Sequence, residues 1–102
     1  KINWRKEKSM TIVVCSKGYP GNYKKNIEIK NINKIKLGKK SFIYHAGTKL
    51  ENGNLLSNGG RVLNVTSTGN NFLDIRKNII NLIKKLNWKY GFFRKDIGWK
   101  VI

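Results

Sequence analysis

Apolar residues fall in two rhythms along this chain, one suited to strands and one to a helix. The β-branched run Thr11-Ile12-Val13-Val14-Cys15-Ser16 predicts a buried strand. Gly18-Tyr19-Pro20-Gly21 stops it, because Gly supplies positive φ and Pro fixes φ near −65°. Ile27 and Ile29 alternate with polar residues between Asn26 and Lys30, which predicts a short edge strand guarded by Lys. Asn31 to Lys40 reads as a polar connector. Ser41 to Leu50 predicts a second strong strand, opened by Phe42-Ile43-Tyr44. Asn52-Gly53 between two apolar runs is a hairpin signal, with Leu55 and Leu56 on the return strand. That strand breaks at Asn58-Gly59-Gly60, and Arg61 to Thr68 resumes as another. The rhythm then changes. Phe72, Ile75, Ile79, Leu82, Ile83 and Leu86 recur at steps of three and four, so Phe72 to Leu86 is an amphipathic helix with Asn71 as its N-cap. Asp74 and Lys84-Lys85 suit the two ends of the helix dipole. Trp88, Tyr90, Phe92 and Phe93 are expected to pack back on the sheet. Strands followed by one helix predict an α+β fold with a small, mostly antiparallel, curled, barrel-like sheet.

At 102 residues the chain is one small domain at most, and 39% hydrophobic with 11% aromatic content marks a folded module. It opens at Lys1 in sequence that already reads as structured, so it is expected to be a fragment, with a boundary in the charged segment Arg5 to Lys8. We place the end of a connector at residues 1–9 and the domain at residues 10–102.

The net charge of +17 invites a nucleic-acid reading, since clustered cations gain affinity by displacing phosphate counterions. Only Arg5, Arg61, Arg76 and Arg94 carry the guanidinium that bidentate recognition favours, and the rest of the charge is Lys. A free-standing basic, β-rich nucleic-acid module therefore stands as the alternative reading. Cys15 is solitary, which excludes an internal disulfide and fits a reducing cytoplasm. In its apolar run it is expected to be a core cysteine with nothing beside it to lower its pKa, so a Cys15–His45 nucleophile pair is not expected. No stretch is long and apolar enough to span a bilayer as a helix. Five acidic residues, one His and one Cys are scattered, so no metal site and no catalytic set is expected from this chain alone.

Three glycine-bearing loops carry the candidate chemistry: Gly18 to Gly21, His45 to Thr48, and Asn58 to Arg61. Gly59-Gly60 lets backbone approach a ligand and expose N–H groups as phosphate nests do, and Arg61 adds a cationic fork that matches phosphate oxygens.

Ser16-Lys17-Gly18-Tyr19-Pro20-Gly21, Tyr44-His45-Ala46-Gly47-Thr48, Asn58-Gly59-Gly60-Arg61-Val62-Leu63 with Val65-Thr66, and Arg94-Lys95-Asp96-Ile97-Gly98-Trp99 stand in that order around the helix. Together they resemble the C-terminal domain of the glycinamide ribonucleotide synthetases, from about Met10 to Ile102. That resemblance implies a parent ligase that joins glycine to 5-phosphoribosylamine using ATP and Mg²⁺. The nucleotide and metal would be bound by an ATP-grasp body that precedes this domain, so the isolated chain is expected to be inactive. The domain itself would be a lid packed on that body, with no specific nucleic-acid and no membrane partner. By the resemblance, Arg61 with Gly59 and Gly60 would hold the 5′-phosphate, Asn58 would belong to the same substrate-binding loop, and Gly18, Tyr19 and Pro20 would shape the pocket wall. His45 and Thr48 would make polar contacts, and Arg94, Asp96 and Gly98 would fix the tail. The Lys content is not something that function requires.

Overall fold

The computed structural model describes residues 8–93. Six strands and one helix follow in the order β1 (Lys8–Ser16), β2 (Ser41–His45), β3 (Thr48–Glu51), β4 (Asn54–Ser57), β5 (Arg61–Gly69), α1 (Phe72–Leu86) and β6 (Gly91–Phe92). A short 3-10 turn, Ile32–Lys34, lies in the connector before β2. Four strands form an antiparallel sheet in the order β2-β5-β1-β6, and β3 and β4 form a separate hairpin. Among the described residues β2 and β6 are open edges, which corrects the expected barrel-like closure. Four strands, one of only two residues, cannot tilt and stagger far enough to close on themselves.

Strict alternation places β1 in the centre. Met10, Ile12, Val14 and Ser16 point inward, and Ile12 faces Val65 across the ladder while Val14 faces Leu63. These side chains meet Ile75, Ile79, Leu82 and Leu86 of α1 in one core. Asn71 caps the helix as expected: its Oδ1 accepts from the Leu73 N–H at 2.7 Å and the Asp74 N–H at 3.4 Å. Asn87 ends it in the left-handed region and donates its N–H to Ile83 O.

Two strand expectations change. Ser41 to Leu50 is not one strand but β2 and β3, which belong to different sheets and part at Ala46-Gly47. Asn26 to Lys30 makes only an isolated bridge, Glu28 to Leu56. Asn26 has φ 64°, which breaks the extended path, and Ile29 leaves the edge to enter the core at 2% exposure. The hairpin signal holds, with Asn52 at φ 53° and Gly53 at φ 81° between β3 and β4. After α1, Trp88 and Phe93 pack against the core, while Phe92 pairs with Cys15 from β6. The Arg94 to Trp99 block lies outside the described residues.

Candidate functional site

The three glycine loops meet at one end of the sheet, and a buried serine joins two of them. Ser16 is fully buried, its N–H donates to Gly60 O at 2.7 Å, and its Oγ donates to Gly59 O at 2.8 Å. The Tyr19 ring lies directly on Gly60, so a Cβ at that position would overlap it. Gly47 sits against the backbone of Arg61 and Gly59, and a Cβ there would overlap the Arg61 carbonyl oxygen. Asn58 N–H donates to Gly47 O at 2.7 Å, and Gly47 N–H donates to Val62 O at 3.1 Å. Close backbone approach is thus what these glycines first provide. Tyr19-Pro20 is a cis peptide, and Gly18 turns the chain ahead of it at φ 98°.

Ser16 is the residue that sequence reasoning passed over as a strand end. A signal was present, because Ser16 continues the inward positions Met10, Ile12 and Val14, where a hydroxyl must find a partner. Gly47 was in a recognised block without a role of its own.

The register separates the predicted site residues. Arg61 pairs with Cys15 across a bulge at Val14/Cys15, which puts its exposed side chain on the sheet face away from α1. His45 pairs with Leu63, an inward position, so it sits on the other face. His45 Nδ1 and Thr48 Oγ1 lie 3.0 Å apart in mutual hydrogen bond. Both line a cavity of about 540 Å³ with Glu28, Lys30, Leu50 and Leu55, and Arg61 is not part of its wall. Gly18, Tyr19, Asn58, Gly59, Gly60 and Arg61 therefore form one cluster, while His45 and Thr48 support the Gly47 turn from behind.

Cys15 is half-buried on the same outward face as Arg61 and is not a core residue. Desolvation pushes its thiol above the ordinary range, and the Arg61 guanidinium opposite offsets only part of that shift. The expectation that nothing beside it lowers its pKa is corrected to that extent. His45 lies on the opposite face, so the two do not form a pair. Among the described residues no three His, Cys, Asp or Glu side chains converge on a possible metal position. No described helix is long and apolar enough to cross a membrane.

Among the described residues, an open antiparallel sheet backed by one helix, with three glycine-bearing loops gathered at one end, defines a small α+β domain. Residues 9–100 match the family described as "Phosphoribosylglycinamide synthetase, C domain". The chain belongs to that family. It is 43% identical to a phosphoribosylamine–glycine ligase of Agrobacterium fabrum over all of its own length and 24% of the relative's. It is 39% identical to a trifunctional purine biosynthetic protein of Gallus gallus, over 92% of this chain and 9% of that one. The crystal structure of a phosphoribosylamine–glycine ligase from Thermotoga maritima superposes with a TM-score of 0.70 at 30% identity, covering 86% of this chain and 21% of that one. The chain thus spans about a quarter or less of the length of these relatives.

Proposed function

We propose that this chain is the C-terminal domain of a phosphoribosylamine–glycine ligase of purine biosynthesis. The parent enzyme would join glycine to 5-phosphoribosylamine at the expense of ATP, giving glycinamide ribonucleotide, ADP and phosphate. The observation that carries the reading is the family match over residues 9–100, joined to the convergence of its three glycine loops at one sheet end. A free-standing nucleic-acid module is not favoured by the comparisons.

The described residues offer no carboxylate cluster for Mg²⁺, so we assign ATP and metal to a preceding ATP-grasp body. We read residues 10–102 as the lid of that body and place the enzyme in the cytoplasm. The lid's part in catalysis is positioning. Arg61 is the group we assign to the ribosylamine 5′-phosphate, because it is an exposed guanidinium directly after the Gly59-Gly60 turn, where the missing Cβ of Gly60 makes room for the Tyr19 ring. Tyr19, held on Gly60 and flanked by Gly18 and Pro20, forms the wall. Asn58 ties the strap to Gly47, and His45 with Thr48 act from the other side of that turn, where their hydrogen bond holds its shape.

The test is Arg61→Ala in the full-length ligase. A lost charge-assisted hydrogen bond costs roughly 1.5–3 kcal/mol, which is on the order of 10- to 150-fold in apparent affinity. KM for phosphoribosylamine should rise by that factor, KM for glycine and ATP should change little, and kcat should fall less than kcat/KM because the phosphate is remote from the reacting amine. Arg61→Lys should recover only part of the loss. An unchanged phosphoribosylamine KM in a well-folded variant would remove Arg61 from the site.

A further inference from the structure

Among the described residues, helix α1 covers one face of the four-stranded sheet and leaves the other open. The outward register positions include Thr11, Val13, Cys15, Phe42, Tyr44 and Thr66. Phe42 is 43% exposed and Tyr44 55%, and their rings stack with centroids 6.1 Å apart and planes at 22°. Unlike Trp88 and Phe93, which pack against the core, these two rings stand in the open.

The chemistry of this face is opposite to that of the rest of the surface. In a chain with 22 Lys and Arg, the only charged strand position on it among the described residues is Arg61, at one end. A nucleic-acid surface collects cations. The centre of a protein interface loses them and gains aromatic residues instead. Three strands about 4.8 Å apart, with β1 and β5 up to nine residues long at about 3.3 Å each, make a patch on the order of 400 Å². Two such surfaces together come to roughly 800 Å², inside the range of about 600–1,500 Å² usual between domains of one chain.

From these observations we propose that the open face is the surface on which the preceding body of the same polypeptide docks, with Phe42 and Tyr44 on its edge strand β2 as the aromatic anchors. The inference rests on reading the chain as one domain of a longer ligase, and it adds which face meets the body. The occupant follows from length. The relatives that this chain matches are roughly four or more times as long, so the nearest large surface is covalently attached and present at high effective concentration.

The experiment uses the full-length ligase with Phe42, or in a second variant Tyr44, replaced by the photo-cross-linker p-benzoylphenylalanine. Leu50, 75% exposed on the β3–β4 hairpin and off this face, is the control position. The expected result is an intramolecular cross-link from positions 42 and 44 to sequence preceding Lys1, absent from position 50. Cross-links to residues 94–102, to a second copy or to nucleic acid would overturn the proposal, as would none at all. Hydroxyl-radical labelling of the unmodified enzyme provides a measurement free of any substitution. Phe42 and Tyr44 should label more slowly than Leu50, although an aromatic ring is intrinsically the more reactive, and faster labelling refutes docking there. Ligase activity of the unmodified protein is assayed in parallel, so its absence counts against the proposed function wherever the cross-link goes.

Discussion

Replacing Gly60 with alanine puts a methyl group where the Tyr19 ring already lies. Gly60 cannot retreat easily, because its carbonyl is held by the Ser16 N–H at 2.7 Å and the neighbouring Gly59 carbonyl by Ser16 Oγ at 2.8 Å. The ring must therefore move, and its backbone is itself held by the Tyr19 N–H to Ser16 O bond at 3.0 Å. Overpacking of this kind costs about 1–3 kcal/mol. A Gly-to-Ala change also lowers unfolded-state entropy, which returns about 0.4–1 kcal/mol where the backbone suits alanine. The clash wins, and the net loss should be about 1–2 kcal/mol. For a domain of this size that lowers Tm by roughly 4–16 °C. The assay is urea and thermal unfolding of the 102-residue chain as Gly60→Ala, Tyr19→Ala and the double variant. If the ring is the obstacle, removing it should relieve the alanine, and the coupling between the two sites should reach about 1 kcal/mol. A Gly60→Ala penalty that is unchanged in the Tyr19→Ala background would refute the argument, as would a Gly60→Ala chain as stable as its parent.

Asn71→Ala should cost about 0.5–2 kcal/mol in unfolding experiments through loss of the cap to Leu73 and Asp74, with Asn71→Asp close to the parent. The Cys15 thiol should titrate above a free cysteine when alkylation rate is followed against pH, and Arg61→Ala should move the midpoint further up by removing the nearby cation. Because the folded pKa is the higher one, the stability it contributes is complete below the unfolded value and is lost as pH rises through the folded value, which unfolding measured on the alkaline side will show.

Local signals were legible where one residue type decides the geometry. Helix α1 runs from Phe72 to Leu86 as its periodicity says, because Asn71 and Asn87 supply their own start and stop. The Asn52-Gly53 hairpin is likewise self-contained. The misreadings arise where distant backbone decides. Nothing near Ala46-Gly47 says that the strand must end there. It ends because Gly47 has to seat against Arg61 and Gly59, some twelve residues away. Ile27 and Ile29 alternate as a strand would, but Ser57 takes both backbone and side-chain bonds from this segment and draws it into a bridge instead of a ladder. The candidate loops could be recognised as motifs, yet which face each side chain occupies depends on the bulge at Val14/Cys15, and a one-residue slip reverses every face.

That bulge also explains how one residue can belong to two surfaces. Arg61 lies at the end of the uncharged outward face and at the start of the Gly59-Gly60 strap. A guanidinium left in water gains little from a phosphate, while one walled off from water gains much more. If a catalytic body covers Phe42 and Tyr44, it approaches the same face that presents Arg61, and the act of docking excludes water around the cation. The cavity beside His45 and Thr48 gains nothing from that approach, since the sheet stands between them. Recognition by this domain is therefore expected to follow closure on the outward face. Among the described residues no Lys stands at an outward strand position of that face, so its only strand cation is Arg61 itself.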